Sequence, residues 1–316
     1  MSIETAAAPT PETVAVILNW NGAEDTLRCV EALQASKPRP PRIVVVDNGS
    51  QDDSRRRILE RHPELALISS QSNLGYSGGN NLGIRWALEQ GARKVVLLNN
   101  DVEVEPECIA RLEQAIDGNA RAGVCGPLIL TRGAPDRIWA AGGKLSCREN
   151  VSRLRGFGQS MNGRYTRDEV VDYLPGCVLM LRRDVLQRVG LLDESYFCYM
   201  EDVDYGRRVI EAGFKNVFVA AASAYHRPSS STGGGYSAAR KYMNAVNSVH
   251  FLRRHGSPLA WAGFICFDLL GLPLAFLSAT MKGRPGAALA KLRGLCDGLR
   301  GVRVTPKRVE RYLRGP

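Results

Sequence analysis

Four short apolar runs alternate with stretches of helical spacing over the first 120 residues, and that alternation leaves few folds open. The runs are Val14–Leu18, Ile43–Val46, Leu65–Ile68 and Lys94–Leu98. Between them, Glu24 to Ala35 spaces Leu27, Val30 and Leu33 on one helical face, and Pro38, Pro40 and Pro41 then stop that helix. Asp52 to Arg61 and Gly79 to Gln90 also read as helices. A strand that is apolar on both faces must be covered on both faces, and crossovers of this length join parallel neighbours. The predicted class is therefore α/β, a Rossmann-like mixed, mostly parallel sheet flanked by helices. After Gly123 the order becomes mixed, with strands expected over Val170–Leu181 and Val217–Ala220 and helices over Asp202–Ala212 and Tyr236–Arg254.

The chain has 316 residues, 44% hydrophobic and 23% charged, enough for one large globular domain and an appended segment. Its formal charge of +10 is concentrated at one end. From Lys282 to Pro316, ten Lys or Arg stand against Asp297 and Glu310, a net of +8. A nucleic-acid-binding domain would carry its cations on the folded body, so this is not that footprint, and no nucleic acid is expected as a partner. A basic tail beside an apolar segment points instead to an anionic membrane surface. The apolar segment, Leu259 to Thr280, is long enough to span a bilayer. Asp268 near its middle would cost about 2.5–3.5 kcal/mol at a bilayer centre, and Gly271 and Pro273 bend it. An interfacial or re-entrant helical pair is the expectation. Residues 1–13 read as a disordered lead without a signal-peptide pattern, which places the chain in the cytoplasm, peripheral on the inner face of the cell membrane. Residues 14–255 then form the α/β domain and 256–316 a membrane-associating helical extension. The eight cysteines include no Cys-x-x-Cys pair, which argues against a zinc ribbon or a disulfide scaffold. The sequence leaves a homo-oligomer open.

In an open α/β sheet, ligands bind beyond the carboxyl ends of the strands. The fourth run ends there in Asn99-Asn100-Asp101, and an Asp so placed can hold a divalent cation that in turn holds a diphosphate. The first run ends in Asn19-Trp20-Asn21-Gly22, amides and a ring suited to a base or ribose. The second ends in Asp47-Asn48-Gly49-Ser50, whose carboxylate can accept from the imide N–H of uracil or thymine. Residues Asn73 to Asn81 form a glycine-rich stretch whose N–H groups can approach phosphate oxygens, although it fits neither usual nucleotide fingerprint. Glu201, Asp202 and Asp204 stand at a predicted helix start, where the helix dipole favours carboxylates. Asp204 can pair with Arg208 one turn on, and one of these acids can act as general base on an incoming hydroxyl. His226 follows the next strand and can join Asp101 as a metal ligand. The turn and capping preferences of Asn, Asp and Gly account for many of the same letters.

In order along the chain stand Val14-Ala15-Val16-Ile17-Leu18-Asn19-Trp20-Asn21, Val45-Val46-Asp47-Asn48-Gly49-Ser50, Asn73 to Asn81, Leu97 to Asp101, Leu174-Pro175-Gly176 and Glu201 to Tyr205. From about Val14 to Arg254 the chain thus resembles glycosyltransferase family 2, and its Asn-rich loop and Asn-Asn-Asp form look most like the rhamnosyltransferase-like branch. The resemblance implies a GT-A fold and a base contact at Asp47 with Asn19, Trp20 and Asn21 near it. It implies a donor site lined by Asn73, Gly75, Gly79, Asn80, Asn99 and Asn100. Asn99 and Asp101 fall on the two acidic positions of the family's Asp-x-Asp motif. Asp101 and His226 would bind Mg²⁺ or Mn²⁺, and Asp202 would be the catalytic base. Trp139, Gly176, Cys177 and Glu201 would shape the acceptor pocket. The implied reaction is inverting, metal-dependent transfer of a hexose, plausibly L-rhamnose, from a UDP- or dTDP-sugar. The acceptor would be a saccharide or a polyprenyl-diphosphate-linked glycan in cell-surface polysaccharide assembly. Two other readings stay open: a nucleotidyltransferase, which would want a basic glycine-rich loop where Asn19 to Gly22 stand, and an inactive sugar-nucleotide-binding scaffold, favoured by Asn99.

Overall fold

The computed structural model describes residues 12–146, 151–227, 237–281 and 283–313. The expected lead lies outside these residues up to Pro11, as does Cys147. The first half reads β1 (Thr13–Asn19), α1 (Ala23–Gln34), β2 (Arg42–Asp47), α2 (Ser54–Arg61), β3 (Ala66–Ser69), α3 (Gly75–Glu89), β4 (Lys94–Asn99), β5 (Val102–Val104) and α4 (Cys108–Asp117). Then come β6 (Ala122–Thr131), β7 (Ala134–Ala140), β8 (Gly143–Leu145), β9 (Ser152–Leu154), β10 (Glu169–Val171), β11 (Val178–Arg182), α5 (Arg183–Val189), α6 (Glu201–Glu211) and β12 (Lys215–His226). Among the described residues α7 (Ala238–His255), α8 (Pro258–Phe264), α9 (Leu272–Met281), α10 (Pro285–Leu299) and α11 (Pro306–Leu313) follow.

The main sheet runs β10-β12-β6-β11-β4-β1-β2-β3, with β5 paired to β12 and β7 to β6. β4, β1, β2 and β3 are parallel, as continuous apolar strands require, and β11 enters antiparallel between β4 and β6. Register aligns Asn19 with Asp47 and Leu18 with Asn99, so the polar strand ends reach one level of the sheet edge. Side chains of β1, β2 and β4 divide between two buried clusters, one on each face of the sheet.

Two expectations change. The strand predicted over Val170–Leu181 is two strands in distant sheet positions, because Pro175 lacks a donor and Asp172 turns the chain by accepting from Leu145 N–H at 2.8 Å. The helix predicted from Gly79 begins at Gly75, so the glycine-rich loop is largely helix. The short strands β5 and β7 to β9 and the long strand β6 escaped the sequence reading.

Residues Pro258–Met281 form one helical run of 24 residues, whose most apolar 18-residue stretch has a mean hydropathy of 1.8 and is 17% buried. An i→i+5 turn over Ile265–Leu269 interrupts it, and the chain turns again before Pro273, which occupies the first turn of α9 where proline is tolerated. By length and composition this run could cross a membrane. Behind it, α10 packs along α7 so closely that a Cβ at Gly294 would meet Tyr242 O and one at Gly298 would meet Val249. Phe264 and Leu295 share a buried cluster with Tyr196, Met200 and Val203, so the C-terminal helices complete the core beneath α6.

Candidate active site

A cavity of about 1080 Å³ opens at the carboxyl ends of the parallel strands, at the upper end of small-molecule sites. Its sheet side holds Asp101 and His226. Antiparallel pairing of β5 with β12 sets His226 opposite Val102, and Arg227 N–H donates to Asp101 O at 3.0 Å. His226 Nε2 thereby comes within 3.3 Å of Asp101 Oδ1. His226 is buried and the Asp101 side chain is 10% exposed, and neither Asp101 Oδ1 nor either His226 ring nitrogen makes a hydrogen bond. Buried polar atoms are nearly always partnered, and a carboxylate oxygen and an imidazole left without partners side by side are two groups that could contribute to holding a divalent cation. No group of three or more such ligands occurs among the described residues, so this pair would need oxygens from a bound ligand to complete a coordination sphere. Trp139 packs edge-on to His226, with ring centroids 4.4 Å apart.

The strand ends next to this pair are mostly tied to one another. Asn19 is fully buried, donating to Asp47 Oδ1 at 2.9 Å and Ser50 Oγ at 3.1 Å and accepting from Thr26 Oγ1 at 2.8 Å. Asn21, with φ of 51°, receives Gln51 N–H on its side-chain oxygen. Asn100 donates to Gly22 O and Thr26 Oγ1, both at 3.2 Å. Asn48 organises the glycine-rich segment, accepting from Leu74 N–H and donating to Asn73 Oδ1 and Gly75 O. Asn73 Oδ1 takes Gly75 N–H, and Phe197 O takes the N–H groups of Tyr76 and Ser77. Gly75 has φ of 75°, and a Cβ there would collide with the Phe197 carbonyl. The free donors of this helix start, expected to meet phosphate, are already occupied by the protein.

The helix side is built around a left-handed loop. Phe197, Tyr199 and Met200 have φ of 61°, 71° and 73°, and such backbone costs on the order of 1–3 kcal/mol per residue. Asn247 on α7 holds it, its buried amide donating to the carbonyls of Tyr196, Cys198 and Tyr199 at 2.8–2.9 Å. The loop delivers three acids into three environments. Asp204 is fully buried and receives Arg208 Nε at 2.7 Å, His255 Nε2 at 2.9 Å and Tyr196 OH at 3.3 Å. Burial pushes its carboxyl up, but His255 and Arg208 together hold it below the ordinary range. Asp202 lines the cavity with both oxygens fixed, Oδ2 by Gly176 N–H at 3.0 Å and Oδ1 by Val203 N–H at 2.8 Å. Burial raises its carboxyl, and those N–H groups restrain the rise. Glu201 is 5% exposed with Oε2 unpartnered, and burial, with Asp202 charged beside it, drives its carboxyl well above the usual range.

Residues 14–190, more than half of the chain, match the family profile of Glycosyl transferase family 2. The chain belongs to glycosyltransferase family 2. An N-acetylglucosaminyl-diphospho-decaprenol L-rhamnosyltransferase of Mycobacterium tuberculosis is 29% identical over 262 residues, 74% of this chain and 83% of that protein. A dTDP-rhamnosyl transferase of Shigella flexneri is 24% identical over 296 residues, 91% of this chain and 95% of that one. Among solved structures, GalNAc-T7 with UDP, GalNAc and Mn²⁺ superposes with a TM-score of 0.63 at 16% identity, covering 82% of this chain and 50% of its own. The protein is a rhamnosyltransferase-like glycosyltransferase with the GT-A fold.

Within this glycosyltransferase, the cavity brings together Trp20, Asn73, Gly75, Asn99, Asn100, Asp101, Trp139, Gly176, Cys177, Glu201, Asp202 and His226 of the expected site. Asn19, Asn21, Asp47, Gly79 and Asn80 do not line it. Asn19 and Asp47 are bonded to each other, Gly79 lets α3 approach Leu18 of β1, and Asn80 donates to Tyr76 O at 2.9 Å. Sequence reasoning missed Asn48 and Tyr76, whose hydroxyl donates to Gly176 O, and the entire wall contributed by α7, α10 and α11. Asn48 stood inside a quoted motif; the wall carries no motif at all.

Proposed function

We propose that the protein is an inverting, divalent-metal-dependent transferase that moves a hexose, L-rhamnose first among candidates, from a dTDP- or UDP-sugar to a lipid-diphosphate-linked saccharide. The observation that carries the reading is the pairing, in one cavity, of orphaned Asp101 and His226 with an Asp202 whose two oxygens are already oriented by backbone N–H groups. Asp101 and His226 would hold Mg²⁺ or Mn²⁺, which when bound neutralises charge developing on the departing diphosphate. Trp20, Asn73 and Asn99 would face the nucleotide, with Asp47 beneath them.

Asp202 takes the proton of an acceptor hydroxyl, whose oxygen forms a bond to the anomeric carbon as the bond from that carbon to the diphosphate oxygen breaks. A single displacement inverts the anomeric centre. A carboxyl raised by burial is a stronger base than an ordinary aspartate, which suits it to an alcohol. The Mycobacterium tuberculosis and Shigella flexneri relatives, named for L-rhamnosyl and dTDP-rhamnosyl transfer, support the donor sugar and the lipid-diphosphate acceptor. The exposed apolar side chains of Leu259, Leu270, Leu274, Leu277 and Met281, with the basic tail, support peripheral attachment to the inner face of the membrane.

A panel of dTDP- and UDP-sugars, read as released nucleoside diphosphate with and without Mn²⁺ and a lipid-diphosphate acceptor, tests the reading. Release that is acceptor-dependent, metal-dependent and largest with dTDP-L-rhamnose supports it. Full activity in chelator would sink the metal role, and preference for another sugar the donor.

A further inference from the structure

Three departures from local rules meet on the cavity wall built by the C-terminal helices. The first is the i→i+5 turn over Ile265–Leu269, closed by Leu270 N–H to Ile265 O at 2.9 Å. Such turns are rare and concentrate at functional sites. Here the turn leaves Phe267 and Leu270 outward, 50% and 71% exposed, and sends Asp268 inward, 3% exposed. The second is the ion pair Asp268 then makes, Lys291 Nζ to Asp268 Oδ1 at 2.7 Å, with both residues on the cavity lining. A buried ion pair is a poor source of stability, so its retention in an otherwise apolar helix calls for another use. The third is Arg240 in the first turn of α7, where the helix dipole repels cations and where the turn itself carries no acid. Arg240 lies over the Tyr199 ring at 5.3 Å, one residue before the turn into Glu201 and Asp202, and no carboxylate among the described residues pairs with its guanidinium. Unpaired local rules of this kind collect where a ligand supplies the missing partner.

We propose that Arg240 and Lys291 form an anion subsite for the acceptor's diphosphate, at the place where the apolar outer face of residues 258–281 meets the catalytic cavity. The proposal rests on the lipid-diphosphate acceptor reading above. Arg240 supplies planar guanidinium donors, and Lys291, oriented by Asp268, keeps two N–H donors for phosphate oxygens. Asp268 and Glu310 on the same wall oppose the cations, so the subsite is tuned toward one anionic group seated between named donors rather than a diffuse positive field. Its position explains how an acceptor can keep its hydrocarbon chain along the exposed face of α8 and α9 while its sugar reaches Asp202.

The test uses the full-length protein with detergent-solubilised acceptors: N-acetylglucosaminyl diphosphate on a short isoprenoid, and N-acetylglucosamine on an uncharged alkyl chain of similar length. Arg240→Gln and the charge-neutral pair Asp268→Asn with Lys291→Met, which avoids a stranded buried carboxylate, are compared with the wild type. The expected result is a KM for the diphosphate acceptor raised tenfold or more in both variants, with KM for the uncharged acceptor and for the sugar nucleotide each within about twofold. A KM that rises for the sugar nucleotide with either acceptor assigns the cations to the donor's diphosphate and overturns the proposal. Unchanged constants throughout overturn it as well. A wild type that does not favour the diphosphate acceptor over the uncharged one shows instead that the acceptor reading itself is at fault.

Discussion

On the sheet side of the cavity, Asp101 immediately precedes β5 and His226 ends β12, and their ladder sets His226 opposite Val102, beside Asp101, before any side chain acts. On the helix side, Asp202 stands behind a loop with three left-handed residues, which is held by one amide from a helix nearly fifty positions further along the chain. The sheet side gets its geometry from regular backbone pairing and its polar atoms are left over for a ligand. The helix side gets its geometry from polar side chains that are consumed in making it. The difference explains why truncation on one side should remove chemistry and on the other should remove structure.

The largest expected effect tests the base. Asp202→Asn keeps the Gly176 contact available to its side-chain oxygen but cannot take a proton, and its kcat should fall by about 10²–10⁴ with donor binding unchanged. A variant retaining more than about a tenth of the rate would remove Asp202 from that role. Its acid limb offers a finer reading. Because burial raises this carboxyl, kcat should decline toward low pH from a point above the ordinary aspartate value of about 4, as the base becomes protonated.

On the sheet side, Asp101→Ala and His226→Ala should each weaken Mn²⁺-dependent donor binding, by roughly 10–100-fold if each removes one ligand. No hydrogen bond is lost at Asp101 Oδ1 or at the His226 ring nitrogens, so destabilisation should be limited to the packing of His226 against Trp139. Calorimetric titration of a nondegradable sugar-nucleotide analogue, paired with a thermal melt, separates the two effects. A large drop in melting temperature for either variant would mean the pair is structural after all.

Asn247→Leu is the helix-side counterpart. It strips three loop carbonyls of their donor, each buried acceptor left unpaired costing about 1–3 kcal/mol before relaxation. Melting temperature and kcat should fall together, whereas Asp202→Asn should lower kcat alone.

The same division governs what could be read from the chain. The parallel strands and Asp101 were legible because buried parallel strands are apolar throughout and end where ligands bind. The glycine-rich segment misled because Gly75 serves an approach to the Phe197 carbonyl, a contact 122 positions away that no local pattern encodes. Asn247 sits in an ordinary helical sequence, so nothing marked it. Asp268 stood out in the sequence as costly in lipid, but its partner Lys291 lies in another helix, and only packing reveals that it faces the cavity. That packing also changes how membrane attachment is tested. Deleting the chain after Leu259 would remove cavity wall along with apolar surface, so Leu270→Glu with Leu274→Glu and Leu277→Glu is the cleaner probe, expected to abolish vesicle co-sedimentation while keeping activity on a soluble acceptor.

The smallest effect sets Glu201 against Asp204, three residues apart in one helical turn. Asp204→Asn leaves Arg208 and His255 without their shared carboxylate in a buried site, a change that typically costs about 3–5 kcal/mol. Glu201→Gln removes a carboxyl that makes no ion pair among the described residues and should cost little. Its sign reverses with pH. The folded protein holds the Glu201 proton more tightly than the unfolded chain, so Glu201 subtracts stability progressively as pH rises above the unfolded carboxyl value of about 4.3. Glu201→Gln lifts that penalty. Thermal melts at about pH 5 and about pH 8 should therefore show the variant gaining on the wild type at the higher pH. A gap that stays constant, or narrows, would mean Glu201 is ionised in the folded protein and that its unpartnered oxygen has a cation to meet.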